Sequence, residues 1–525
     1  MDVQPQSIAL ATSERLVQAL ASADCYDHPV AGVEVIETHI SWVLLTGEFA
    51  YKIKKPLKLP FADFSTLELR RELCEEEVRL NRRLAPDLYL GVVPIGGTYS
   101  HPRVDREAAI EYAVKMRQFP SSERLDRVLE RNEIDKASIR ALGETIALFH
   151  AGLEADRASP SLGGAKSILS AALENFDELD SLLGNRSSLL ESVARWTRTE
   201  CERLALVFAA RKRDGHVVEG HGDLHTENVV RRGEALVPFD ALEFNAELRW
   251  TDTMAELGFF AMDLCARGRT DLGYEFLDRA LEVSGDYDGL RVLRFYMVYR
   301  AVVRLKVAAI AGDQHGGAAI EESHPHLAFA RAGVLTSVPA LVITHGLSGS
   351  GKSTVAAALV GRLPAIRIRS DVERKRLHGL EANATSDSAL GGGLYSPSSS
   401  RDTYGVLERA ADAALDAGFS VVVDAAFLGR EERAAFRAIA EHRWARFVIL
   451  HCMAPDDVLR ERVETRAATG SDPSEATLAV LEHQMGSFHT LTPDEQRSAV
   501  VVDTSEAFDI DAVAAEVRGP TAPGA

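Results

Sequence analysis

Gly346-Leu347-Ser348-Gly349-Ser350-Gly351-Lys352-Ser353 satisfies G-x-x-x-x-G-K-[ST] at every defined position, with Thr354 directly after it. Glycines at this spacing let successive backbone N–H groups turn inward around an anion, and the helix start adds partial positive charge. The lysine of such a Walker A loop reaches the outer phosphates and its Ser/Thr hydroxyl ligates magnesium, so a triphosphate is the natural occupant. The plainer reading, a glycine-rich turn before a helix, accounts for the glycines but not for the Lys-Ser pair.

A second constellation, His221-Gly222-Asp223-Leu224-His225-Thr226-Glu227-Asn228, fits H-x-D-x-x-x-x-N, and Asp240 follows it. In a phosphotransfer loop of this pattern Asp223 orients or accepts the acceptor hydroxyl proton, Asn228 and Asp240 hold magnesium, and His221 braces the loop. A polar turn with Asn228 as a helix cap is the competing account. Upstream, Phe49-Ala50-Tyr51-Lys52 reads as a strand of the V-A-I-K type and Glu77 falls on the next helix, so a Lys52–Glu77 ion pair is expected. Lys54 lies on the same strand face and is a rival, whereas Glu75 and Glu76 fit the helix pattern less well than Glu77.

Three further groups accompany the Walker loop. Asp424 ends the apolar run Val421-Val422-Val423, where open parallel sheets hold ligands, and is a magnesium candidate; an ordinary helix-capping carboxylate is the alternative. Asp371 and Arg374 follow a weaker strand at Ala365–Arg369 and would lie across the cleft from the phosphates. Arg460, Arg462 and Arg466 share one helix, and such a cluster either closes over a transferring phosphoryl group or forms a solvated face.

The elements that must position these residues are legible in the hydrophobic spacing. Ser13–Ala21 reads as a short helix. Val33–Lys54 reads as an antiparallel sheet turning at Thr46-Gly47, Phe64–Leu84 as a helix and Ala109–Phe119 as a strand. From Arg124 to about Ile310 the spacing is helical, broken by the polar loop 220–228 and a strand at Ala235–Phe239. Gly312–His324 lacks apolar periodicity. Beyond it, apolar runs at Ala340–Thr344, Ser420–Val423, Phe447–Leu450 and Ala499–Val502 alternate with helices, as in a parallel sheet covered on both faces. Ser386–Ser400 reads as a mobile loop. The expected layout is an N-terminal helical segment (1–32), an α+β bilobal domain (33–310), a linker (311–335) and an α/β P-loop domain (336–525).

At 525 residues the chain exceeds the roughly 250–300 residues of a single core, which requires more than one domain. A formal charge of -19 argues against broad nucleic-acid or anionic-membrane binding. The five scattered cysteines have no metal-type spacing and suit a reducing compartment, and neither a signal peptide nor a membrane-length apolar run is evident, so a cytoplasmic location is expected.

Residues 340–505 resemble small-molecule kinases of the P-loop type, related to gluconate, shikimate and zeta-toxin kinases. That resemblance implies that Asp371 orients the acceptor hydroxyl, that Arg462 and Arg466 act as lid arginines on ATP, and that Asp503-Thr504-Ser505 lies near the adenine. Residues 33 to about 310 resemble the aminoglycoside phosphotransferase branch of the protein-kinase-like fold, in which H-G-D replaces H-R-D and Asp240-Ala241-Leu242-Glu243 stands in place of D-F-G. Two features depart from that pattern: no G-x-G-x-x-G joins the first strands, and the D-F-G glycine is missing. The whole chain resembles a bacterial family of fused aminoglycoside phosphotransferase-like and ATP-binding proteins, a likeness that includes Trp42, Phe61–Leu73 and Leu80-Asn81-Arg82-Arg83-Leu84. A fold relationship does not imply antibiotic modification.

The function expected is an ATP-dependent, bifunctional phosphotransferase acting on hydroxyls of small, sugar- or metabolite-like molecules. The alternative is a nucleotide-dependent switch in which one domain regulates the other or a partner protein. Phosphorylation of protein fits less well, because helix resumes near Trp250 without a long activation segment.

Overall fold

A computed structural model describes residues 5–59, 62–156, 159, 162–183, 188–314, 324–335, 338–382, 384, 386, 393–469 and 473–519. The chain forms two compact units, one of residues 1–138, 152–164 and 212–256, the other of residues 139–151, 165–211 and 257–525.

The first unit is built on a six-stranded antiparallel sheet. Its strands are β1 (Glu34–Glu37), β2 (Ser41–Leu45), β3 (Phe49–Lys54), β4 (Tyr89–Thr98), β5 (His101–Val104) and β6 (Glu111–Arg117), ordered β1-β2-β3-β6-β4-β5. Gly47, at φ 98°, makes the tight β2–β3 turn expected at Thr46-Gly47. Helix α1 (Leu67–Asn81) starts where the Thr66 side chain accepts from the Leu69 N–H, and its Cys74 and Val78 pack with Val114 of β6. The opposite sheet face buries Trp42, Leu44, Tyr51 and Ile53 against the helix Pro5–Leu20, which extends the predicted 13–21 segment toward the N-terminus. Strands β7 (Val229–Arg232) and β8 (Ala235–Pro238) form a hairpin that flanks the His221–Asn228 loop.

The second unit contains the five-stranded, all-parallel sheet expected from the apolar runs. Its strands are β9 (Ala340–His345), β10 (Ala365–Arg369), β11 (Ser420–Asp424), β12 (Arg446–Met453) and β13 (Ala499–Asp503), in the order β10-β11-β9-β12-β13. Every residue of β9 is buried, as a strand covered on both faces requires. Helices α2 (Lys136–Ala151) and α3 (Thr270–Ser284) precede this sheet in the chain, and all but the first three residues of α2 belong to the same unit. They join it through charge: Arg367 of β10 pairs with Asp278 of α3 at 2.9 Å, and Asp278 pairs with Arg140 of α2 at 2.5 Å. Helices α4 (Lys352–Val360), α5 (Ser370–Leu377) and α6 (Asp456–Thr469) contain, in turn, Lys352 and Ser353, Asp371 and Arg374, and Arg460, Arg462 and Arg466.

Two loop expectations need correction. Helices Leu290–Gln314 and Pro325–Val334 occupy most of the segment expected as a linker, because apolar side chains such as Leu327 and Ala330 are buried; residues 315–323 lie outside the described residues. Of the expected Ser386–Ser400 loop, residues 387–392 lie outside the described residues, while a helix begins at Pro397, capped by the Ser396 side chain accepting from the Ser399 N–H.

Candidate active site

In the first unit the His221 loop, β3 and α1 bring the expected residues together. Lys52 Nζ lies 2.9 Å from Glu77 Oε1 and 2.6 Å from Asp240 Oδ1. Asn228 Nδ2 donates to Asp223 Oδ2 at 3.0 Å and to the Asp223 carbonyl at 3.0 Å, which fixes these two side chains of the loop against each other. The His221 ring donates from Nε2 to the Phe239 carbonyl and accepts the Asp223 N–H at Nδ1, so the neutral tautomer ties the loop to the segment entering Asp240. Burial of this ring pushes its pKa down, in keeping with that role.

The rivalry between the two lysines resolves as sharing. Lys54 Nζ reaches Glu77 Oε2 at 2.6 Å and also pairs with Glu243. Burial alone would raise the Glu77 pKa; Lys52 and Lys54 overcome it and hold the carboxyl at about 2. Glu75 and Glu76 instead pair with Arg71 and with Arg79 and Arg249, outside the lysine cluster.

Leu242, which stands where the D-F-G glycine would, is not among the described residues with positive φ, so its backbone does not call for glycine. Asp240 itself takes φ 61°, with its N–H given to Tyr89 Oη and the following Ala241 N–H to Asn81 Oδ1. Gly222 has φ 84°, and a Cβ there would meet Arg249 Cβ at 3.0 Å, so glycine is needed in H-G-D. Arg83 donates to the carbonyls of Glu219 and Gly220 at the loop entry, which gives Leu80–Leu84 its purpose. Phe61 of the Phe61–Leu73 segment lies outside the described residues. Sequence reasoning missed Glu243 as a partner of Lys54, and His225, whose Nε2 lies 3.4 Å from Asp223 Oδ2.

In the second unit a cleft of about 310 Å³ opens beside the P-loop, lined by Ser348, Gly349, Gly351, Lys352, Ser353 and Thr354 together with Asp371, Asp424, Arg462 and Arg466. Gly346, Leu347 and Ser350 support the loop from behind. A Cβ on Gly346 would meet the Cys452 carbonyl at 2.4 Å, Leu347 packs against the Leu459 cluster, and Ser350 is buried. Lys352 Nζ donates to the Leu347 carbonyl at 2.7 Å, folded onto its own loop, and burial lowers its pKa.

Ser353 Oγ donates to Asp424 Oδ1 at 3.1 Å, while Asp424 Oδ2 is buried with no hydrogen-bond partner among the described residues. A hydroxyl beside an orphaned carboxylate oxygen suits a hard cation. Arg462 donates to the Gly349 carbonyl and to Thr504, and Thr504 Oγ1 donates to the Ser350 carbonyl, so this part of Asp503–Ser505 braces the phosphate loop. Arg466 donates to the Ala476 carbonyl, and Arg460 turns away to pair with Glu482. Arg374 lines the same cleft and donates to the Leu394 carbonyl at 3.0 Å; Gln484, which sequence reasoning missed, accepts the Ser348 N–H.

Residues 341–491 match the model of the AAA domain family AAA_33. Over 477 residues the chain is 30% identical to the uncharacterized protein Rv2004c of Mycobacterium tuberculosis (strain ATCC 25618 / H37Rv), spanning 89% of this chain and 93% of that protein. The chain belongs to the Rv2004c family. The uncharacterized protein Mb2027c of Mycobacterium bovis matches Rv2004c-family residues of this chain at the same 30% identity and with the same coverage. Similar solved structures include a choline/ethanolamine kinase family protein from Mesorhizobium loti, at 13% identity and TM-score 0.36, covering 61% of this chain and 99% of that one. A sugar kinase from Janibacter sp. HTCC2649 is similar at 23% identity and TM-score 0.26, covering 32% of this chain and 87% of that one.

Proposed function

We propose that this Rv2004c-family chain is a bifunctional ATP-dependent kinase, each site moving the γ-phosphoryl of ATP to a hydroxyl of a small, sugar- or metabolite-like molecule. The observation that carries the reading is Lys52 Nζ bridging Glu77 and Asp240 at 2.9 and 2.6 Å, the lysine–acid contacts that a kinase lobe needs. In this site Lys52 binds phosphate oxygens, Glu77 orients Lys52, and Asp223, held by Asn228, orients the acceptor hydroxyl and takes its proton. In the P-loop site the Gly346–Thr354 backbone and Lys352 cradle the phosphates, Asp371 orients the acceptor, and Arg462 and Arg466 stabilise charge on the transferred group. Asn228 and Asp240 in one site, and Ser353 and Asp424 in the other, would hold magnesium, which when bound would supply charge neutralisation on the phosphates.

We further propose the layout 33–310 for the kinase-like domain and 336–525 for the P-loop domain. We place the protein in the cytoplasm, a reading supported by five free thiols, with small molecules rather than nucleic acid or membrane as partners. Among the described residues no helix is long and apolar enough to cross a membrane. Incubating wild type, Asp223→Ala and Lys352→Ala with labelled ATP, magnesium and a protein-free cell extract tests the reading. Each variant should lose a different labelled product. One shared loss would defeat the two-reaction reading, and free phosphate without any labelled acceptor would favour the nucleotide-dependent switch.

A further inference from the structure

Arg249 ends the short helix Ala246–Arg249, downstream of Asp240, and its side chain is 9% exposed. Each of its three guanidinium nitrogens donates to a different element. Nη2 reaches Glu76 Oε1 at 2.7 Å, on α1 beside Glu77. Nε reaches Glu219 Oε1 at 3.0 Å, on the strand Val217–Glu219 that enters the His221 loop. Nη1 reaches the Glu243 carbonyl at 3.0 Å, in the segment that begins at Asp240. The backbone joins in: the Arg249 carbonyl accepts the Gly220 N–H at 3.0 Å, and Arg249 Cα and Cβ pack against the bare face of Gly222.

Other contacts tie these pieces two at a time. Arg79 spans Glu76 and Glu219 from a side chain that is half exposed, and Arg83 donates to the Glu219 and Gly220 carbonyls. Asn81 takes the Ala241 N–H, and Lys54 joins Glu77 to Glu243. Arg249 spans all three pieces at once from the interior, where charge-assisted bonds are screened little. Only a planar fork serves three acceptors in three directions; a lysine ammonium is a point charge.

We propose that Arg249 is a positioning residue of the first unit's phosphotransfer site: its fork fixes the spacing of α1, the entry to the His221 loop and the Asp240 segment, and so holds Lys52 between Glu77 and Asp240. It acts through Glu76, Glu219 and the Glu243 carbonyl. The inference rests on the reading that Lys52 binds phosphate oxygens of ATP.

The test is equilibrium binding of a fluorescent ATP analogue, with magnesium, to the full chain carrying Lys352→Ala, which silences the P-loop. Binding that Lys52→Met removes defines the first-unit class; if that class does not exist, the underlying site reading fails. Given that class, Arg249→Gln should weaken it by at least about five-fold, within the range of couplings in one hydrogen-bonded network. A merely structural role would lower the melting temperature and leave the affinity of the folded protein unchanged. Arg249→Lys, which keeps the buried charge but not the three diverging donors, should weaken binding too. Glu76→Ala, which cuts one arm, should weaken it less than Arg249→Gln and should add nothing to Arg249→Gln. Should Arg249→Gln not fold, Arg249→Lys and Glu76→Ala decide. Wild-type affinity in folded Arg249→Gln, Arg249→Lys or Glu76→Ala protein, or a Glu76→Ala effect that persists undiminished without Arg249, would overturn the proposal.

Discussion

Lys54 Nζ and Glu77 Oε2 lie 2.6 Å apart, with only 2% and 0% of their side chains exposed. Because Lys54 also neutralises Glu243, it is a structural cation beside Lys52, the lysine that reaches Asp240. Lys54→Met should destabilise the first unit by about 3–5 kcal/mol, since it strands the buried Glu243 carboxylate. Lys54→Met/Glu243→Met should regain most of that loss. Lys52→Met should instead remove the phosphotransfer assigned to this unit. Urea unfolding and the labelled-product assay separate the two lysines.

Gly222→Ala tests the H-G-D loop. At φ 84°, with Arg249 and Leu242 Cβ atoms 3.0 and 3.1 Å from an added Cβ, alanine is both strained and crowded. A cost of about 1–3 kcal/mol is expected, with loss of the Asp223-dependent product and retention of the Lys352-dependent one.

Asp371→Asn should leave nucleotide binding by the P-loop intact and reduce transfer to the acceptor by about 10²–10⁴-fold, the usual contribution of a positioned base. Equilibrium binding of a fluorescent ATP analogue and product formation, measured on the same preparation, check the split.

His345 and His451, on adjacent strands behind the P-loop, share a hydrogen bond of 2.8 Å between their Nδ1 atoms. Burial first, then the neighbouring His451, moves the His345 pKa down from 6.5 to about 3, and burial lowers that of His451 too. A folded-state pKa below the unfolded one means that the unfolded chain binds the proton first. The resulting stability is present above 6.5 and is lost as pH falls toward about 3. Melting temperatures between about pH 7 and about pH 5, above most carboxylate titration, should fall in wild type and fall less in His345→Leu/His451→Leu.

The sequence carries the glycine loop, the H-x-D-x-x-x-x-N loop and the strand–helix pair of Lys52 and Glu77 openly, because each depends on local spacing. It does not separate the roles of Lys52 and Lys54, since residues two apart share a strand face and both ammonium groups reach one carboxylate. The Arg367–Asp278 pair joins residues far apart in the chain, so no local pattern states it. Its traces are the helical spacing of buried Glu275, Asp278 and Glu282 and the alternate placement of Arg367 and Arg369, which mark two charged faces without saying that they meet. The supposed linker misleads for another reason. The expected linker, 311–335, runs past the aperiodic stretch Gly312–His324, and Pro325–Val334 beyond that stretch has apolar residues enough for a packed helix.

Two enzymes strung on a tether can be exchanged half by half through recombination. Here Arg367 is 5% exposed and takes its counter-charge from Asp278 and Glu282 on α3, so a crossover near residue 336 that brought in an α3 without those acids would entomb a guanidinium stripped of its α3 partners. Chimaeras within the family should therefore fold only when α3 and β10 are inherited from the same parent, or from parents that carry matching charges.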